Sequence, residues 1–300
     1  MRIRKTGKIT DHLWRLGTEE SCVYVLEGSK ASAIISGGMS YILPVLFQQL
    51  QEYGISDKKI THLIILHTHF DHVGIVPFLK RFWPQLNVYA SSRGWEVLSN
   101  PKAISVINEF TLKVTQRVLG KTDELSKYDW QWRDDVAGYS LSEENELDLG
   151  DTQIKFYETP GHSSCSISAY IPKLKTIFPS DAVAIPFKDE FIIAANSSLT
   201  KYQQSLEKLG NFEIEILCAD HYGYIVEDEA HNYINESKIA LANMKKMLRQ
   251  ALQKEGSIDR AAKTLVDKHF QLRPDYFIAP EILLNTYGQM LKHVAEQGSG

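Results

Sequence analysis

The chain reads as a layered mixed α/β (α+β) protein with helices gathered towards its end, and three features predict this. Short β-like runs alternate with helix-spaced segments through roughly the first two thirds of the sequence. One of those runs, His62–Leu66, is so apolar that both its faces must be covered, as in a sheet held between layers. From Glu227 onward the periodicity is helical.

In chain order, strands are expected around Leu13–Leu16, at Cys22–Glu27 and at Ala31–Ser36, with the turn Glu27-Gly28-Ser29 between the last two. Tyr41–Tyr53 carries Leu43, Leu46, Phe47 and Leu50 at helical spacing and stops at Gly54. The strand His62–Leu66 leads into the run His-Thr-His-Phe-Asp-His, then a helix from about Val73 to Phe82 and a strand at Asn87–Ala90. Residues 95–140 read as a helical insert: Ile104, Ile107, Val114 and Val118 share a helical face, and the tryptophan-bearing stretch Tyr128–Tyr139 has weak periodicity. Strands return at Gln153–Glu158, Ser166–Ile171, Thr176–Phe178, Glu190–Ala194 and Glu215–Cys218, with a helix at Leu199–Leu209. Helices near 227–253, 257–269 and 279–296 follow. The expected division is a domain over 1–226 carrying the insert, and a helical extension over 227–297. Gly298-Ser299-Gly300 reads as a remnant foreign to the fold.

With 300 residues, 43% hydrophobic and 23% charged, the composition is that of an ordinary globular protein. A net charge of −4 without a basic stripe argues against nucleic-acid binding, which needs cations to displace counterions. No apolar stretch approaches the length of about 18 residues that spans a bilayer. The basic start MRIRKTGKIT has no apolar core after it, so it is not read as a secretory signal. Cys22, Cys165 and Cys218 are scattered with no CxxC spacing, which points to a reduced, cytoplasmic protein.

Chemistry concentrates in the run at 67–72. His67, His69, Asp71 and His72 fill four of six consecutive positions after a buried strand, a pattern with little use in packing and good use as a metal cradle. His67 and His69 alternate on extended backbone and point the same way; Asp71 and His72 lie past the turn, at the start of the next helix, and face a neighbouring point. That geometry calls for two adjacent ions. Three more candidates stand just beyond strand ends, where loops of layered proteins gather: His162 in Pro160-Gly161-His162-Ser163, Asp181 in Pro179-Ser180-Asp181, and His221 in Ala219-Asp220-His221. Asp181 is expected to bridge the two ions. Imidazole and carboxylate accept zinc, iron and manganese alike. The remaining histidines, including His62 and His269, are left as surface or core residues.

HTHFDH, PGHSS, FPSDAV and CADHYG, in this order and spacing, resemble the ligand motifs of the metallo-β-lactamase superfamily in its hydrolase branch, which includes glyoxalase-II-like enzymes. The resemblance covers roughly residues 10–225 and implies a four-layer αββα sandwich with metals at one edge of two sheets. Within it, SGGMS at 36–40, DHVGIVPFLKRFWPQLNVYAS at 71–91, the insert and the helical C-terminus are most similar to quinolone-signal-type thioesterases. Ile75 replaces a glycine common in relatives, Ser180 replaces the usual glycine before the bridging Asp, and Ala219-Asp220 replaces the usual Pro-Gly before the last His.

The resemblance implies hydrolysis of a thioester or activated ester, such as an acyl-CoA of an aromatic or β-keto acid, by a water acidified between two ions and oriented by Asp71 and Asp181. Ser163, Ser164 and Cys165 are read as turn and packing residues, with no nucleophile pair needed. Phe110, Tyr128, Trp130, Trp132, Phe187 and Tyr224 are candidate walls of an apolar substrate pocket beneath the insert and the C-terminal helices. The expected partner is a small molecule, with a homodimer left open. The rival readings are a phosphodiesterase or ribonuclease, a mononuclear-iron persulfide dioxygenase, and a catalytically idle binding or signalling protein. Diiron flavoproteins resemble an H-x-E-x-D pattern, and His69 stands where the Glu would be.

Overall fold

A computed structural model describes residues 1–297; Gly298-Ser299-Gly300 lie outside them. Two short opening strands, β1 (Arg2–Ile3) and β2 (Gly7–Thr10), go to different sheets. The first sheet continues with β3 (Leu13–Gly17), β4 (Cys22–Glu27), β5 (Ser32–Ile35), β6 (Ile60–Ile64), β7 (Asn87–Ser91) and β8 (Tyr139–Leu141), in the spatial order of the chain from β2. Its β2–β5 half is antiparallel and its β5–β8 half parallel. The parallel steps need crossovers. These are α1 (Leu43–Glu52) and α2 (Val76–Phe82), and then the insert helices α3 (Ser92–Leu98) and α4 (Pro101–Leu119).

The second sheet takes β9 (Glu146–Asp148), β10 (Gln153–Glu158), β11 (Ile167–Ile171) and β12 (Thr176–Phe178). A separate hairpin, β13 (Ile185–Phe187) with β14 (Glu190–Ile192), and helix α5 (Leu199–Leu209) precede its last strands, β15 (Ile216–Cys218) and β16 (Tyr224–Val226). The order is β1-β16-β15-β12-β11-β10-β9. Three helices close the chain: α6 (Glu227–Glu255), α7 (Ile258–Leu272) and α8 (Pro280–Gln297).

Strand alternation makes the sandwich. On β4, Cys22, Tyr24 and Leu26 enter the core between the sheets, where they meet Ile154, Phe156 and Phe178 of the second sheet, while Val23 and Val25 turn towards the helices. The result is the expected αββα layering with helices outside both sheets. At one edge the sheets are also stitched by hydrogen bonds. Tyr24 Oη donates to Ala219 O at 2.5 Å, Ile167 N to Leu66 O at 2.8 Å, and Tyr222 N to Glu19 O at 2.7 Å. All three flank the loops that carry the candidate ligands.

One difference from the sequence reading concerns the run at 67–72. It ends in a 3-10 turn, Phe70–His72, and α2 begins only at Val76. The turn is held from outside: Trp132 Nε1 donates to Val73 O at 2.9 Å, Gly74 N to Gly38 O at 2.7 Å, and Gly37 N to His72 O at 2.9 Å. The backbones pass so closely that a Cβ on Gly74 would sit 2.3 Å from Ser40 N and 2.7 Å from Met39 C. Neither is a flexible atom. Gly74→Ala is therefore expected to cost about 3 kcal/mol or more of stability, by overpacking that only backbone movement relieves. Urea unfolding of the two proteins measures it, and an unchanged midpoint refutes it.

Candidate metal centre

The seven predicted ligands come from separate segments of chain and meet at the stitched edge. His67 and His69 follow β6, Asp71 and His72 lie in the 3-10 turn, His162 follows β10, Asp181 sits in a 3-10 turn after β12, and His221 follows β15. All but His69 are buried, and His69 is half-buried. Their donor atoms form overlapping groups whose members lie within 4.8 Å of one another: His67, His69 and His162; His67, His72 and Asp181; Asp71, His72 and His221. Asp181 joins them. Its Oδ2 lies 3.3 Å from both His72 Nε2 and His162 Nε2, and its Oδ1 3.8 Å from His221 Nε2.

Four histidines are oriented by the same device. Each lends its outer nitrogen, Nδ1, to an oxygen: His67 to Ser180 Oγ at 3.0 Å, His72 to Asp220 Oδ2 at 2.8 Å, His162 to Ala194 O at 2.5 Å and His221 to Glu20 O at 2.6 Å. A backbone carbonyl accepts only, so the Nδ1 atoms of His162 and His221 carry the protons and their Nε2 atoms turn lone pairs inward. Inner nitrogens then face each other at 3.2 Å (His162 to His67) and 3.1 Å (His221 to His72). These separations are close to the edge of a tetrahedron around an ion with bonds of about 2.0–2.1 Å, roughly 3.3 Å. Imidazole nitrogen and carboxylate oxygen with outer hydrogen bonds are a donor set that fits a divalent metal.

The electrostatics agree. Burial, and then the neighbouring imidazoles, hold His67 and His69 well below the usual histidine range, so they are neutral donors. Burial likewise lowers His162. For His72 burial pulls downward, but Asp181 and Asp71 outweigh it and raise its affinity for positive charge. For Asp181 burial pulls upward, yet His72, His162 and His221 hold it well below the usual carboxylate range. Within the cluster the Asp181 and Asp71 carboxylates favour a cation, while burial disfavours a proton on the His67, His69 and His162 rings.

Ser180 and Asp220, which stand out as departures in the sequence, are one unit here. Ser180 Oγ donates to Asp220 Oδ2 at 2.6 Å, while the same Oδ2 meets His72 Nδ1 and the same Oγ meets His67 Nδ1. Neither is a ligand candidate by sequence; that both replace glycine in adjacent loops is the available signal. Ser163, Ser164 and Cys165 are turn residues, as expected. Ser163 Oγ pairs with Ser166 Oγ at 2.7 Å and Cys165 Sγ with Thr68 Oγ1 at 3.3 Å, and among the described residues no histidine hydrogen-bonds them.

An apolar cavity of about 190 Å³ opens on the cluster, lined at one end by His69, Asp71, His162, Asp181 and His221. Phe110 is among its lining residues. The other expected walls lie elsewhere. Trp130 and Trp132 are packed in the core beneath the insert, with Trp132 bracing the ligand turn. Tyr224 belongs to the sheet–sheet core, and Tyr128 packs edge-to-face on Phe78. Phe187 packs on Tyr222 and Tyr276 and borders a separate, polar cavity. The actual walls are aliphatic residues of β13–β14 and of α8, such as Ile185, Ile192, Ile282, Leu283 and Met290, together with Phe277.

Among known proteins, the chain is 24% identical over 255 residues to the metallo-beta-lactamase fold-containing protein ST1585 of Sulfurisphaera tokodaii, covering 85% of this chain and 89% of that one. The crystal structure of ST1585 superposes with a TM-score of 0.59 at 20% identity over 80% of this chain and 87% of that one. TTHA1429 of Thermus thermophilus, a metallo-beta-lactamase family protein, superposes with a TM-score of 0.69 at 16% identity over 97% and 95% of the two chains. A B3 metallo-beta-lactamase with an active-site glutamic acid gives 0.57 at 18% identity over 79% and 89%. These likenesses carry the fold. The sequence profile of the metallo-beta-lactamase superfamily matches residues 17–221, which span every ligand candidate from His67 to His221, and the chain belongs to that superfamily.

Proposed function

We propose that the protein is a metal-dependent hydrolase of an uncharged ester or thioester, holding two divalent ions between His67, His69 and His162 on one side and Asp71, His72 and His221 on the other, with Asp181 shared. When bound, such ions supply a water acidified to near neutrality and charge that polarises the scissile carbonyl. The chain's own part is positioning: the outer hydrogen bonds fix ring orientation, and Asp71 and Asp181 orient the attacking water. The apolar cavity takes the acyl group and keeps bulk water out.

The observation that carries this reading is the cavity. Among the described residues lining it, none is Lys or Arg. Away from the ions themselves, this wall gives an anionic substituent such as a β-lactam carboxylate no cationic partner. An aromatic or aliphatic acyl group meets matching surface, in keeping with the resemblance to quinolone-signal-type thioesterases. Three buried free cysteines fit a reducing, cytoplasmic setting, and among the described residues no helix is long and apolar enough to cross a membrane. The partner is then a small molecule, and zinc or iron the metal.

Elemental analysis of protein purified without added metal, run beside a panel of thioesters, esters and phosphodiesters, tests the reading. Two equivalents of divalent metal are expected, with acyl-ester or thioester turnover that chelation abolishes and added metal restores. Turnover of phosphodiesters alone overturns it, as does hydrolysis that survives chelation. Oxygen uptake on a persulfide would replace it with the dioxygenase reading.

A further inference from the structure

We propose that a second cavity on the ligand cluster receives the leaving half of the substrate, a thiol or alcohol carrier, and that Lys102 pairs with negative charge at that carrier's far end. The proposal rests on the hydrolase reading of the cluster and deepens it. Hydrolysis breaks the bond from the acyl carbon to sulfur or oxygen: the oxygen of water stays with the acyl carbon, and the carrier leaves with a proton. A substrate in place therefore extends from the cluster in two directions, and both halves need room. The scissile ester itself is uncharged; the charge lies at the distal end of the carrier.

The structure provides the two directions. The apolar cavity of about 190 Å³ is walled by β13–β14 and α8. A wider cavity of about 510 Å³ leads from the same end of the cluster between α4 and the loop after β10. His69, Phe70, Phe110, His162 and Asn196 line both. The two cavities thus meet at one edge of the donor set, where His69 Nδ1 and His162 Nε2 lie 2.7 Å apart. The rest of the second wall is chiefly the apolar surface of the insert, Val97, Val106 and Ile107. Val106 is 45% exposed, a branched apolar side chain left facing solvent on this wall.

Charge separates the two cavities. Asp71 and Asp181 line the first, with no Lys or Arg among its described lining residues. Lys102 lines the second, with no Asp or Glu among its described lining residues. The Lys102 side chain is exposed, and its ammonium makes no ion pair or hydrogen bond among the described residues. Its backbone is fixed beside the cavity by the helix cap, in which Asn100 Oδ1 accepts from Lys102 N at 2.9 Å and from Ala103 N at 3.4 Å. An anion on the carrier meets a cation that nothing else neutralises, while an anion in the first cavity, away from the ions, meets none. The smaller cavity therefore takes the neutral acyl half and the wider one the carrier. The class of leaving group is a thiol or alcohol that ends in a carboxylate or phosphate.

The test uses full-length, zinc-loaded protein and thioesters of benzoic acid, whose ring fits an apolar cavity of about 150 Å³. The leaving thiols form two pairs matched in shape and differing in charge: 3-mercaptopropionate with 3-mercaptopropionamide, and phosphopantetheine with pantetheine. For each pair the ratio of kcat/KM, anionic over neutral, is compared between wild type and Lys102→Gln, so that the intrinsic reactivity of the thioesters cancels. Lys102→Gln should lower the ratio about threefold for at least one pair, the worth of one exposed charge pair, and high salt should close the gap. The pair that responds tells a short carboxylate carrier from a long phosphate one. Val106→Trp, at an exposed position, should fill the cavity and lower kcat/KM for the pantetheine thioester about tenfold, with metal content unchanged. Ratios that Lys102→Gln leaves unchanged in both pairs overturn the proposal, as does full turnover of the pantetheine thioester by Val106→Trp. If no thioester turns over, the hydrolase reading falls, and titration calorimetry with the S-benzyl thioethers of the same four thiols decides for the cavity: a preference for the anionic member that depends on Lys102 upholds it, and equal affinities overturn it.

Discussion

Replacing Asp181 with alanine should lower hydrolysis about a thousandfold or more and reduce bound metal from two equivalents to at most one. Asp181 is 5% exposed, and its two oxygens reach towards histidines of both donor groups. Charge stabilisation by a bound ion contributes several kcal/mol to a hydrolytic transition state, and each 1.36 kcal/mol is tenfold in rate. Loss of the shared ligand removes that contribution and unfixes the attacking water together. Asp181→Asn separates shape from charge: it keeps the volume and one acceptor, so metal content should fall less than in the alanine variant while the rate stays low. Elemental analysis and kcat/KM measure the two effects, and circular dichroism checks that folding is kept. An alanine variant with two ions and an undiminished rate would remove Asp181 from the mechanism.

How much of this is legible in the sequence depends on whether the information is local. His67, His69, Asp71 and His72 lie on one strand-to-turn segment, so spacing alone exposes them. Cys22–Glu27, Gln153–Glu158 and Leu199–Leu209 have the bounds the sequence predicts because patterning or turn residues mark both their ends. Strands whose existence depends on a distant partner escape such a reading. Arg2–Ile3 is a strand because it pairs with Tyr224–Ile225, and nothing in two residues announces that. The cavity walls differ from expectation for a related reason. Trp130, Trp132 and Tyr224 are candidates by residue type, yet large aromatics are the residues a core most readily absorbs. The true wall is one side of α8, and periodicity shows that a helix has an apolar face without showing what that face covers.

Ser180 and Asp220 give the second large expectation, because the structure makes them a single support for histidines in both donor groups. Asp220 Oδ2 accepts directly from His72 Nδ1 and also from Ser180 Oγ, which in turn accepts from His67 Nδ1. Asp220 is 2% exposed. Removal of an outer partner of a ligating histidine typically costs about 10–100-fold in metal affinity, and here one substitution releases two rings. Asp220→Ala is therefore expected to weaken metal binding by about 100-fold, with both ions affected. Ser180→Gly is the informative partner. Ser180 sits at φ +49°, the left-handed region where a non-glycine residue pays about 1 kcal/mol, so glycine relaxes the backbone there while cutting only the link to His67. Its effect on affinity should be nearer tenfold and confined to one ion, and its melting temperature should not fall. Chelator competition resolves the two affinities. If Asp220→Ala left both intact, the carboxylate would be merely a buried charge tolerated beside the centre; if Ser180→Gly weakened both ions equally, the relay from Asp220 to His67 would be wrong.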